Sequence, residues 1–196
     1  MSTHSTAGAV RRRPDVERNE SALLTAAASV FARSGVDAPV REVAAAAGVG
    51  VATLYRHFPN RADLVVAVYR RQIDACAEAG PNLLATSPSA FAATLDWIHL
   101  FVDFLGTKHG LARVWEGDAA GFTALHVLFV DRLVPVLDDL LAAARASGEV
   151  IAPTSGYQLI RAVGDLVAFA PKDPNYDVRE IVDLLVSGLK QSQPER

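Results

Sequence analysis

The residues best suited to chemistry in this 196-residue chain lie in one short stretch, VATLYRHFPNR at 51–61. No acidic side chain occurs from Gly48 through Arg61, while Arg56 and Arg61 bring two positive charges and His57 a further donor. Tyr55 and His57 can donate to phosphate oxygens while their rings pack on a sugar backbone. Thr53 can meet a thymine methyl or a base edge. An acid-free helix start bearing Arg suits a phosphate-rich surface. The competing reading of these residues is the solvated cationic face of an ordinary helical hairpin.

The elements that must present this stretch can be read around it. A short helix is expected at Val40–Ala47, broken by Gly48-Val49-Gly50, and a second at Val51–Phe58, ended by Pro59-Asn60. Pro39 is a plausible first helical residue. Ala44 is small where a second helix must cross closely, Gly48 suits a left-handed exit from the first helix, and Leu54 supplies the apolar anchor. Val43, Val49 and Phe58 complete a small core with a preceding helix at Asn19–Ser34, whose Leu23, Leu24, Ala27, Val30 and Phe31 recur at three- and four-residue spacing. Two helices joined by a tight Gly-containing turn form a helix-turn-helix. The second would offer Val51, Ala52, Thr53, Tyr55, Arg56 and His57 outward, with Gly50 at its start and Arg41 on the helix before it.

Catalytic and metal chemistry find no comparable support. Asp138-Asp139 and Asp173 have no His at a telling spacing, and no G-x-x-x-x-G-K-[ST] loop occurs. His99, His109 and His126 are scattered without metal-ligand spacing. Cys76 is the sole cysteine, which excludes an intramolecular disulfide and reads as a small buried hydrophobe. No catalytic residue, metal or cofactor is therefore assigned, and the chain is not expected to be an enzyme. The longest charge-free stretch, Glu78 to Asp96, contains Gly80, Pro81, Asn82 and Pro88, so no membrane span is expected. Without a signal peptide at residues 1–10, a cytoplasmic protein is expected.

The rest of the chain reads as helix. Alanine is abundant (34 residues) and no hairpin-bounded alternation appears, so an all-α chain of about nine helices is expected. Further helices fall at 61–79, then after a loop at 80–87, at 89–108, 111–119, 122–147, 155–169 and 177–191, with Pro135 kinking or splitting its helix. Three regions are expected: a disordered basic tail (1–18), the helix-turn-helix domain (19–65) and a larger helical domain (66–196). Trp97, Phe101, Phe104, Trp115, Phe122, His126 and Phe129 would form either core or the wall of an apolar pocket. Ile160, Val163, Gly164 and Val167 make one late stripe, and Ile181, Leu185, Gly188 and Leu189 belong to another. They suit either intrachain packing or an interface between two copies, where close approach would offset the helix cost of each Gly, about 1 kcal/mol.

The segments LLTAAASVFARSG and VREVAAAAGVGVATLYRHFPNRADL resemble the DNA-binding domain of the TetR (tetracycline-repressor-like) family over roughly residues 19–70. The resemblance implies a homodimeric transcriptional regulator, a repressor that reads pseudo-palindromic double-stranded operators and is released by a small apolar or aromatic effector held in a divergent helical domain. It carries DNA contacts onto Val51, Ala52 and Thr53 at the start of the recognition helix, onto Tyr55 and His57 near its end, and onto Arg61 as a phosphate ligand. The chain departs from the pattern where Ala38-Pro39 replaces a capping Thr, Gly50 replaces a Ser and Ala52 replaces a Gly. Arg41 and the Arg11–Arg13 run are candidates to make up the lost phosphate contacts. The alternative is a dimeric helical ligand-binding protein that has lost specific DNA recognition.

The net charge of −3 conceals an asymmetry. Residues 1–70 hold 9 Arg against 6 acids, whereas residues 71–196 hold 10 basic against 16 acidic side chains. A basic reader joined to an acidic partner domain limits non-specific attachment to nucleic acid.

Overall fold

The computed structural model describes residues 12–106, 119–168 and 176–190. Eight helices run through them: α1 (Arg12–Ser34), α2 (Val40–Ala46), α3 (Val51–His57), α4 (Arg61–Thr86), α5 (Ala90–Gly106), α6 (Ala119–Ala146), α7 (Gly156–Ala168) and α8 (Val178–Ser187). No strand occurs among the described residues, only an isolated antiparallel bridge between Val150 and Lys190. The all-α expectation holds, while the helix expected at 111–119 lies almost wholly outside the described residues. Two compact units divide within α4, between Tyr69 and Arg70, four residues beyond the expected boundary.

The first unit is built on the apolar spacing of its helices. Leu23, Ala27, Val30 and Phe31 of α1 are buried with Val43 and Ala44 of α2, Leu54 of α3, Phe58, and Leu64, Val65 and Val68 of α4. Leu54 is 1% exposed, so Leu54→Ala would remove about 2–5 kcal/mol. Helix α1 starts at Arg12, earlier than the Asn19 expected, so residues 12–18 of the expected disordered tail are helical.

The turn between α2 and α3 forms as its chemistry requires. Gly48 adopts φ +67°, a conformation that costs a side-chain-bearing residue a clash with its own carbonyl. This conformation lets the Gly48 amide reach the Ala45 carbonyl and the Val49 amide reach the Ala44 carbonyl, at 3.1 and 3.0 Å. The pair closes the helix end with a Schellman motif. Pro39 is the N-cap of α2 rather than its first residue, and neither it nor Gly50, the N-cap of α3, makes a side-chain capping bond.

The second unit corrects one expectation and narrows another. The loop expected at 80–87 is mostly helix, because α4 runs through Gly80 and Pro81 to Thr86. Gly80 is buried against α6, where an added Cβ would lie 2.3 Å from Val136 Cγ1. Close packing of α4 on α6 holds the helix where local propensity would end it. Nor does Pro135 split α6. The core here is Ile73, Phe91, Trp97, Ile98 and Phe101 with Leu133, Leu137, Leu140, Leu141, Leu159, Val163, Val182 and Val186. Cys76 is buried as expected, and its carbonyl accepts a 2.8 Å hydrogen bond from Trp97 Nε1.

Candidate nucleic-acid interface

Helix α3 buries only Leu54 and leaves a polar face outside. Val51, Ala52, Tyr55 and Arg56 are exposed, Thr53 and His57 are half-buried, and Gly50 and Arg41 are exposed on the adjoining turn and helix. Tyr55 is 44% exposed. The His57 ring lies 6.3 Å from the buried Phe58 ring, centroid to centroid. The expected contact residues are thus at least partly accessible to solvent, with one exception in how the side chain is engaged.

The exception is Arg61. Its guanidinium is half-buried and turned toward the chain's own backbone, where Nε donates to the Val36 carbonyl at 3.0 Å and Nη2 donates to Val36 and Ala38 carbonyls. The expected phosphate ligand is therefore also the clasp between the start of α4 and the turn leading into α2. A planar cation with a donor fork can bridge two carbonyls in a way an ammonium cannot. No sequence motif announces this role, since Val36 and Ala38 contribute only main-chain atoms. Next to it, Asn60 opens α4 by accepting from the Asp63 amide at 2.8 Å while its own amide donates to the Asp63 carboxylate.

Residues 23–68 match the family model described as bacterial regulatory proteins, tetR family. This segment is a TetR-family domain. The first unit is the helix-turn-helix of that family, followed by the helical C-terminal unit. A TetR transcriptional regulator from Streptomyces coelicolor is 28% identical over 89% of this chain and 99% of its own, with a TM-score of 0.74. One from Mycobacterium vanbaalenii is 27% identical over 91% and 99%, with a TM-score of 0.71. The TetR-like regulator LfrR from Mycobacterium smegmatis, solved in complex with proflavine, is 26% identical over 91% and 99%, with a TM-score of 0.62. A search of the curated proteins finds no match.

In the second unit the aromatic residues pack mainly on each other. Trp97 and Phe101 stack with centroids 5.9 Å apart, and Phe101 meets Phe104 and Phe129 at 6.3 and 5.7 Å. All four are buried. His126 is exposed and stacks against Phe129 at 6.1 Å. Trp115 and the side chain of Phe122 lie outside the described residues.

An open space does exist nearby. A groove of about 390 Å³ runs between α4 and α5, lined by Gln72, Cys76 and Ala79 on one side and Leu100, Asp103 and Phe104 on the other. Sequence spacing pointed to Phe104 but to none of the other lining residues, because helix pairing decides which gaps stay unfilled. No membrane-spanning helix and no metal-binding cluster occur among the described residues.

The late helices divide their apolar residues between two directions. Ile160, Val163 and Leu189 are buried within the chain, which fits the intrachain packing that was one of their two expected roles. Gly164 and Val167 are half-buried, while Ile181, Leu185 and Gly188 are exposed. Leu184, not anticipated, is 71% exposed. Nothing lies within 4 Å of a Cβ built on Gly164, so packing inside the chain does not explain its lack of a side chain.

Proposed function

We propose that the chain is a dimeric repressor that reads a pseudo-palindromic double-stranded operator with α3 and is released by a small molecule bound in its second unit. The carrying observation is the acid-free outer face of α3, with Tyr55 and Arg56 exposed beside half-buried Thr53 and His57 on a rigid three-helix core. Exposed Arg41 adds a phosphate donor, and Gly50, Val51 and Ala52 leave the backbone of α3 open to close approach. Two such helices about one turn of duplex apart would read two half-sites. The outward row Ile181, Leu184, Leu185 and Gly188 supports pairing of two copies through α7 and α8. The groove between α4 and α5 has the size and apolar lining of a small-ligand site. An effector releases DNA only by binding the non-reading geometry more tightly.

Selection of bound sequences from random duplex DNA, followed by gel-shift, tests this reading. The expected result is one enriched palindrome, bound in a salt-sensitive manner, with Tyr55→Ala weakening the complex at unchanged thermal stability. No enriched sequence at low salt would refute it in favour of a ligand-binding protein without an operator. The bare caps of α2 and α3 are the observation that favours that second reading.

A further inference from the structure

The groove between α4 and α5 has one charged wall, the Asp103 carboxylate, and that carboxylate is shared with another helix. Arg179, in the first turn of α8, donates to Asp103 Oδ1. One turn earlier on α5, His99 Nε2 lies 2.5 Å from Asp183 Oδ1, one turn later on α8. The two contacts form a short antiparallel ladder, His99 with Asp183 and Asp103 with Arg179. They tie the helix that lines the groove to the helix that carries the exposed row Ile181, Leu184 and Leu185.

We propose that the groove takes a lipophilic monocation, and that its ammonium group takes Asp103 from Arg179. This rests on the reading of the groove as the effector site. Among the described residues the rest of the lining is apolar but for Gln72, so a hydrocarbon body fits against Cys76, Ala79, Leu100 and Phe104 while the positive head reaches the acid. Asp103 and Arg179 are 64% and 42% exposed, and an ion pair so open to water is weak enough for a bound cation to exchange with it. Once displaced, Arg179 no longer holds the start of α8 to α5. Ligand occupancy is thereby transmitted to the helix that presents the exposed apolar row.

The test uses the full chain and three probes of one skeleton: 4-phenylbutylamine, 4-phenylbutanol and 4-phenylbutyrate, titrated calorimetrically at neutral pH. The amine is expected to bind about two- to fivefold more tightly than the alcohol, the range for an ion pair so exposed, with the carboxylate weakest. Asp103→Asn should erase the preference while leaving the helical circular dichroism intact. Arg179→Met should strengthen amine binding severalfold, because the competitor is gone, a gain that a merely structural pair would not produce. Equal binding of amine and alcohol, or no binding of any probe at millimolar concentration, overturns the proposal. Asp103-dependent binding that leaves the protein–DNA complex intact supports the cation site and refutes its role as the effector site.

Discussion

Arg61 Nε donates to the carbonyl of Val36, 25 residues earlier in the chain, at 3.0 Å. With the added bonds from Nη2 to Val36 and Ala38, one guanidinium closes the loop that carries α2 and α3 between its ends. The geometry of the reading head therefore depends on a residue at the first position of the helix that follows it.

Removing this clasp should loosen the head as well as weaken DNA binding. Arg61→Met is expected to lower stability by about 1.5–3 kcal/mol, the range for charge-assisted hydrogen bonds, in urea unfolding followed by circular dichroism. Arg61→Lys should recover little, since an ammonium does not fork across two carbonyls. The slope of affinity against salt separates the two roles. Positioning leaves it unchanged, whereas a lost phosphate contact lowers it by about one.

Gly80 provides a test against simple helix propensity. Alanine is favoured over glycine in a helix by about 1 kcal/mol, yet Gly80→Ala sets a methyl 2.3 Å from Val136 Cγ1. Net destabilisation of about 1–3 kcal/mol is expected from overpacking. Val136→Ala should relieve part of it in a double-mutant cycle measured by thermal unfolding.

Glu149 links stability to pH. A hydrogen bond from Ser89 and then one from Ser147 hold its carboxyl below the usual 4.5, assisted by the Phe91 amide at the start of α5. A carboxyl lowered in the folded state contributes stability above its unfolded pKa and loses it as pH falls through the folded one. Glu149→Gln should thus be less stable than the parent at pH 7. The gap should close below about pH 4, read by urea midpoints across the range.

Leu184 is the sharpest probe of self-association. At 71% exposure it contributes little to the fold of one chain. Leu184→Glu should leave the melting of the helices nearly unchanged at low protein concentration and shift sedimentation from dimer to monomer at micromolar concentration. A dimer of undiminished affinity would move the interface elsewhere.

Local chemistry decided much of this protein. The spacing of Ala44, Gly48 and Leu54 marked the helix-turn-helix because a tight turn needs a left-handed residue and two helices need a small contact and an apolar anchor. The acid-free run from Gly48 through Arg61 marked its outer face because charge type is a property of composition. Tertiary packing decided the rest. Gly80 and Pro81 signal a break in any local reading, yet close contact with Val136 keeps them in α4. Arg61 reads as a phosphate ligand in the sequence, and only folding adds the Val36 carbonyl as a partner. Ile160 and Val163 look the same as Ile181 and Leu185 in a periodic pattern, but the former are buried and the latter exposed. Period tells which residues share a helix face, whereas the neighbour that covers the face, and the Asp103–Arg179 pairing that crosses between helices, exist only once the helices have packed.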